Sequence, residues 1–197
     1  MPITFDTTGL EQRDTSVWVN PATGGVVTLD YFDLAPDLPA ALEDVDLLRH
    51  RLAGFTAKAG CLIEADVVQL DGVPALYQLL KVPFPNRPAG QVFLASCTVP
   101  RAGCSAVLKL QSPELGMTGM REALLMARLG HENWVVPHPY APELRGVLPY
   151  HLGDAAEHDP QFPDHPLTRA RAWARHVALT GRVDPRFAAL PPFRPQG

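Results

Sequence analysis

Residues 61–112 read CLIEADVVQLDGVPALYQLLKVPFPNRPAGQVFLASCTVPRAGCSAVLKLQS. Four strand-like runs stand out, 62–70, 73–84, 91–99 and 105–111, rich in Val, Leu and Phe. Asp71-Gly72, then Pro85-Asn86-Arg87-Pro88-Ala89-Gly90, then Pro100-Arg101-Ala102-Gly103 punctuate them. Links this short join only antiparallel neighbours, because a parallel pair needs a crossover of about a dozen residues or more. The stretch therefore predicts a four-stranded antiparallel meander. Its last run puts Ala106, Leu108 and Leu110 on one face and Val107, Lys109 and Gln111 on the other. One sheet face is thus apolar and needs a helix over it.

Working outward, Thr15–Val19 and Val26–Phe32 flank Asn20-Pro21-Ala22-Thr23-Gly24-Gly25 and read as a hairpin. Between hairpin and meander, Leu38, Leu42, Val45, Leu48, Leu52 and Phe55 recur at helical steps. This stripe predicts a helix over 37–58, with Asp37 as N-cap, Pro39 in the first turn and Gly60 as the stop. Glu43, Asp46 and Arg49 would form its solvated face. Beyond the meander, Thr118 caps a predicted helix over 120–129 that ends at Gly130. Residues 131–166 are Pro-rich and hold five of the seven histidines. Helical spacing returns at Leu167–Thr180, with Pro166 at its first position and Leu167, Ala170, Trp173 or Ala174, and Val177 inward. The Pro-rich 182–197 tail is expected to fray. The organisation expected is an α+β domain over 1–130, with a Pro/His-rich arm over 131–197 whose helix, 167–180, packs on the same domain.

A hairpin, a long helix, an antiparallel meander and a following helix resemble the Mog1/PsbP-like α+β sandwich. The resemblance spans about residues 3–130 and also rests on Asp71-Gly72-Val73-Pro74-Ala75 and on Glu114–Ala123 at the entry to the second helix. Segment 162–171 resembles one that recurs in bacterial proteins and brings no activity with it. The resemblance implies a non-catalytic, protein-binding role, since members of that fold class include a partner of a small GTPase, a photosystem assembly subunit and bacterial lipoproteins. An adaptor, chaperone or immunity protein would fit, and the partner expected is another protein.

Composition narrows the classes further. The 197 residues are 46% hydrophobic and 19% charged, which supplies a core and excludes a disordered chain. A net charge of −4 argues against nucleic-acid binding. No apolar run approaches the roughly 20 residues of a membrane span, and no basic-then-apolar leader opens the chain. Three lysines among 17 basic residues, and two isoleucines, fit a GC-rich bacterial genome. The odd cysteine count, Cys61, Cys97 and Cys104, with no CxxC pair, fits a reducing cytoplasm. Cys61 and Cys97 fall in strands and read as buried, whereas Cys104, at a turn, is the thiol expected to be exposed.

No P-loop, dinucleotide fingerprint, HExxH or G-x-S-x-G elbow is present, so no cofactor and no catalytic residue is assigned. The richest polar cluster, His151-Leu152-Gly153-Asp154-Ala155-Ala156-Glu157-His158-Asp159 with Asp164-His165, offers metal candidates in His151, Asp154, His158 and His165. A small metal-dependent or His/Asp-dependent hydrolase on 151–165 is the competing function. The plainer reading has Asp154 and Asp159 serving turns, and Asp164 or His165 capping the last helix. Trp134, Tyr140 and Tyr150 are candidate partner-binding aromatics, or else anchors that pin the arm. Arg169, Arg171, Arg175 and Arg182, balanced by Asp159, Asp164 and Asp184, read as a surface salt network. A small-ligand carrier would need an apolar pocket between helix and sheet.

Overall fold

Asp71 and Gly72 both take positive φ, 52° and 77°, and this two-residue turn has the hand that lets twisted strands pair directly. It joins β5 (Cys61–Leu70) to β6 (Val73–Pro83), and β7 (Gln91–Pro100) and β8 (Ser105–Pro113) complete the meander. The computed structural model describes residues 1–116 and 118–195; Met117 in the 114–123 motif and residues 196–197 of the tail lie outside them. Every pairing in the meander is antiparallel. The hairpin expected upstream forms as β3 (Val17–Val19) and β4 (Val26–Phe32), with β2 (Glu11–Asp14) added outside it. Asn20 ties its loop, the side-chain oxygen accepting from the Ala22 and Thr23 amides. β4 docks antiparallel on β8, giving one seven-stranded sheet in the order β2-β3-β4-β8-β7-β6-β5.

Alternation then decides both faces. Ala106, Leu108 and Leu110 join Val27, Leu29, Phe93, Ala95, Cys97, Ala75 and Leu79 in the main core. The helix over this face is α3 (Pro166–Thr180), through Leu167, Ala170, Ala174 and Val177. The other face, at the β5–β6 edge, carries Leu62, Ala65 and Leu76 against α1 (Val45–Thr56). The architecture is α+β, an antiparallel sheet packed against helices. The first helix does lie on the sheet, but the apolar meander face it was expected to cover belongs to the C-terminal helix.

Several local expectations are corrected. α1 starts at Val45 behind an Asp44 N-cap, whose carboxylate accepts the Leu47 amide, rather than at Asp37. Leu38 and Leu42 pack into the same cluster from irregular chain, so their spacing reflects a shared apolar patch and not a shared helix. Phe55, in the predicted stripe, faces solvent, while Arg49 turns inward to the Ala65 carbonyl and Asp66. Gly60 is required for space: a Cβ there would sit 2.1 Å from the Lys81 carbonyl oxygen, so the chain passes hard against β6. Cys104 is buried like Cys61 and Cys97: the turn, closed by the Arg101 amide on the Cys104 carbonyl, places it in the main core. The tail is built in as far as it is described. β9 (Arg182–Val183) pairs with β1 (Ile3–Thr4), and α4 (Pro185–Ala188) buries Phe187.

α2 (Met120–Leu129) is capped by Gly119 at φ 72°, not by Thr118, and turns Arg121 and Leu125 inward. The arm folds back on itself, with Trp134–Val136 bridged to Tyr150–Leu152 by the Val136 and Leu152 amides. Its middle wraps the free edge of β5. Such edges invite pairing with other chains, and side chains cover the first half of this one. His138 Nε2 meets the Leu62 carbonyl at 2.8 Å, and the Tyr140 hydroxyl accepts the Ala65 amide. Val147 donates to the Ala57 carbonyl at the end of α1, and Gly146 approaches the Ala57 backbone to 3.1 Å from where its Cβ would be.

Candidate functional site

The four metal candidates do not converge as a set, although His151 Nδ1 lies 3.5 Å from Asp154 Oδ2. His151 opens a 3-10 turn (Leu152–Asp154) and stacks on Trp134, ring centroids 4.7 Å apart. Its amide donates to Asp154 Oδ2 at 2.9 Å. Asp154 faces Lys81, with Nζ at 2.7 and 3.0 Å from its two oxygens, and both side chains are 1% exposed. His158, in the second 3-10 turn (Ala156–Gln161), is buried with Nε2 3.5 Å from Glu157. His165 is the N-cap of α3, Nδ1 accepting the Leu167 amide. Asp154 therefore serves its turn and His165 its helix.

A network links the arm to the core. Arg121, fully buried, donates to the carbonyls of Gly153 and Ala155 and to Asp159 and Thr168. Arg171, 1% exposed, reaches Glu64, Asp159 and the Asp154 carbonyl. Tyr77 donates to Glu64. Asp159 neutralises arginine as expected, but that arginine is Arg171 and the contact lies inside the protein; Arg175 and Arg182 of the expected surface row stay exposed, outside this buried lock. It packs the 3-10 turns between the sheet, α2 and α3. The sequence reading missed both cations; the only local signals are that Lys81 stands alone in the apolar Leu79–Val82 run and that Arg121 falls at an inward helical position, and neither names a partner.

Trp134 is buried and Tyr140 half-buried, so both act as anchors, while Tyr150 lines a cleft. Gly153 lies so close to Trp134 that a Cβ would meet the ring at 2.7 Å. Gly153→Ala should cost about 1–3 kcal/mol through overpacking, read as a lower urea midpoint with altered Trp134 emission; an unchanged midpoint would contradict the stacked geometry.

The cleft lies between the arm and the end of α1. It measures about 240 Å³ and is walled by Ala53, Ala57, Leu62, Val136, Pro149 and Tyr150. Phe55, Val135 and Val147 expose large apolar surface near it. A shallower groove along α1, with His50, Arg51, Phe55 and Lys58, adjoins it through Leu144. Acid–base capacity in the cleft is low. His138 uses Nε2 on Leu62 and Nδ1 on the Tyr140 amide, and burial lowers its basicity. Burial likewise pushes the Cys61 thiol up to about 11, which leaves it protonated and a poor nucleophile.

A third grouping was not legible in the sequence because His165 lies 43 residues beyond Glu122, although Glu114 and Glu122 are near neighbours along the chain. Glu114, Glu122 and His165 bring one ligand atom each to within 4.8 Å of one another. Burial raises the Glu122 carboxyl above its ordinary value.

No family model matches the chain, and no curated protein does. Among solved structures, a mutant of the protein Mog1 is similar over 95% of this chain and 90% of that one, at 14% identity and a TM-score of 0.44. Among the described residues, no helix is long and apolar enough to cross a membrane.

Proposed function

We propose that the chain is a non-catalytic accessory protein that binds another protein through the cleft between the arm and α1. The observation that carries this reading is the apolar-walled cleft and the groove adjoining it, rimmed by Phe55, Val135 and Val147, beside the part of the β5 edge that His138 and Tyr140 cover. With the edge covered at this point, a partner docks by inserting side chains and not by adding a strand. Arg51, Lys58 and Arg145 line the same surface in a chain of net charge −4. The partner segment that complements it carries apolar side chains flanked by acidic ones. The polar groups of 151–159, which a hydrolase would need free, are largely taken up in the arm lock.

Photo-crosslinkers placed at Val135 and at Phe55 in the native host test the reading. Both positions should capture the same protein, through an apolar and acidic segment identified by mass spectrometry, whereas a probe at exposed Leu179 on α3 should not. Ala57→Trp, which fills the cleft, and Lys58→Glu, which reverses the rim, should each weaken that binding about tenfold or more. Equal capture from Leu179, or binding indifferent to both variants, would overturn it.

A further inference from the structure

The Glu114–Glu122–His165 cluster lies outside the cleft and plays no part in the proposed docking. Glu114 follows β8, Glu122 sits in the first turn of α2, and His165 caps α3. The Glu114 and His165 side chains are only 5% and 9% exposed. Two backbone amides hold Glu114 in place: Gly119 donates to Oε1 at 3.1 Å and Gln91 to Oε2 at 2.8 Å. His165 Nε2 lies 3.6 Å from Glu114 Oε1, beyond a good hydrogen bond, and has no other partner among the described residues. Glu122 Oε2 is also buried without a partner among the described residues. Buried polar atoms are almost always satisfied, so two orphans beside one carboxylate call for a missing group. Ligand atoms on a tetrahedral zinc, each about 2.1 Å from the metal, stand about 3.4 Å apart; His165 Nε2 and Glu114 Oε1 are 3.6 Å apart, and all three ligand atoms lie within 4.8 Å of one another. A surface cleft of about 290 Å³, lined by Glu114, His165, Leu115 and Met120, gives an ion a way in and leaves room for a water ligand.

We propose that Glu114, Glu122 and His165 form a binding site for a divalent transition metal, zinc foremost. Two carboxylates and one imidazole suit a borderline ion, and zinc outranks manganese and iron(II) for such donors. The site would tie the consecutive end of β8 and start of α2 to the start of α3, which comes much later in the chain. It also makes a particular demand on His165. Nδ1 accepts the Leu167 amide at 3.2 Å, so without metal the ring proton is on Nε2. Zinc at Nε2 needs that lone pair, so the proton moves to Nδ1 and the Leu167 amide loses its acceptor. Metal loading therefore exchanges a helix cap for a metal bond.

The full chain, stripped with chelator and dialysed, is titrated with zinc by calorimetry while amide exchange is followed. Saturable one-to-one binding is expected, with Glu122→Gln and His165→Asn each weakening it about tenfold or more. Asn is itself a good N-cap, so His165→Asn keeps the start of α3, which circular dichroism checks. In the unsubstituted chain, zinc should speed exchange at the Leu167 amide. Absence of saturable binding, affinity unchanged in both variants, or Leu167 exchange indifferent to zinc would each overturn the assignment. None of these outcomes bears on crosslinking at the α1 cleft.

Discussion

Asp154→Leu should destabilise the protein by about 3–5 kcal/mol in urea unfolding at neutral pH. Lys81 and Asp154 are each 1% exposed, so neither can turn to solvent when the other is removed. The substitution strands an ammonium inside the protein and also removes the acceptor of the His151 amide. Attraction between the two charges only roughly offsets the cost of taking both from water, so the pair itself adds little net stability. Lys81→Met in the Asp154→Leu background should therefore recover most of the loss. What remains, about 1 kcal/mol, is the lost His151 hydrogen bond. A double variant as unstable as Asp154→Leu alone would show that the loss comes from the turn and not from the buried charge.

Stability should also fall by roughly 3 kcal/mol as pH drops from about 6.5 to about 4, through His151 alone. Burial depresses the His151 imidazole to about 4, partly opposed by Asp154 and aided by Lys81 and Arg121, and the ring is held flat against Trp134. In the unfolded chain the same ring titrates near 6.5. Between these values the unfolded state binds the extra proton, so unfolding gains as pH falls, and the stabilisation is fully present above the upper value. His138, lowered by burial too, acts in the same direction. His151→Phe keeps a flat ring on Trp134 and cannot titrate. The difference in unfolding free energy between the two proteins should shrink or reverse across the window. A constant difference from pH 7 to pH 4 would show that folding does not depress the His151 imidazole.

Both results probe the arm lock, and the lock illustrates how far local reading extends. The turn at Asp71-Gly72 and the alternation in 105–111 are properties of neighbouring residues, and a period of two survives any tertiary arrangement. α3 was legible for the same reason, because Pro166 and the Leu167, Ala170, Ala174, Val177 spacing are local. The start of α1 was not. Leu38 and Leu42 match a helical step, yet a buried irregular segment places apolar side chains at similar intervals, and only the Asp44 cap separates the two cases. The charged interior was hidden for a different reason. Arg171 among Arg169, Arg175 and Arg182 looks like one member of a solvated row, and its acceptors, Glu64 and the Asp154 carbonyl, come from 107 and 17 residues away.

The amino-acid order alone determines an antiparallel meander, an N-terminal hairpin, an amphipathic C-terminal helix and a chain without the signatures of common cofactor enzymes. These follow from period, turn chemistry and composition, which act over a few residues. Tertiary structure alone decides which helix covers which sheet face, and that the arm closes the first half of the β5 edge. It alone decides that Lys81, Arg121 and Arg171 are interior cations, and that Glu114, Glu122 and His165 meet. Those outcomes depend on long-range packing, where a charge is tolerated only if partners from distant segments arrive together, and no local pattern records their arrival.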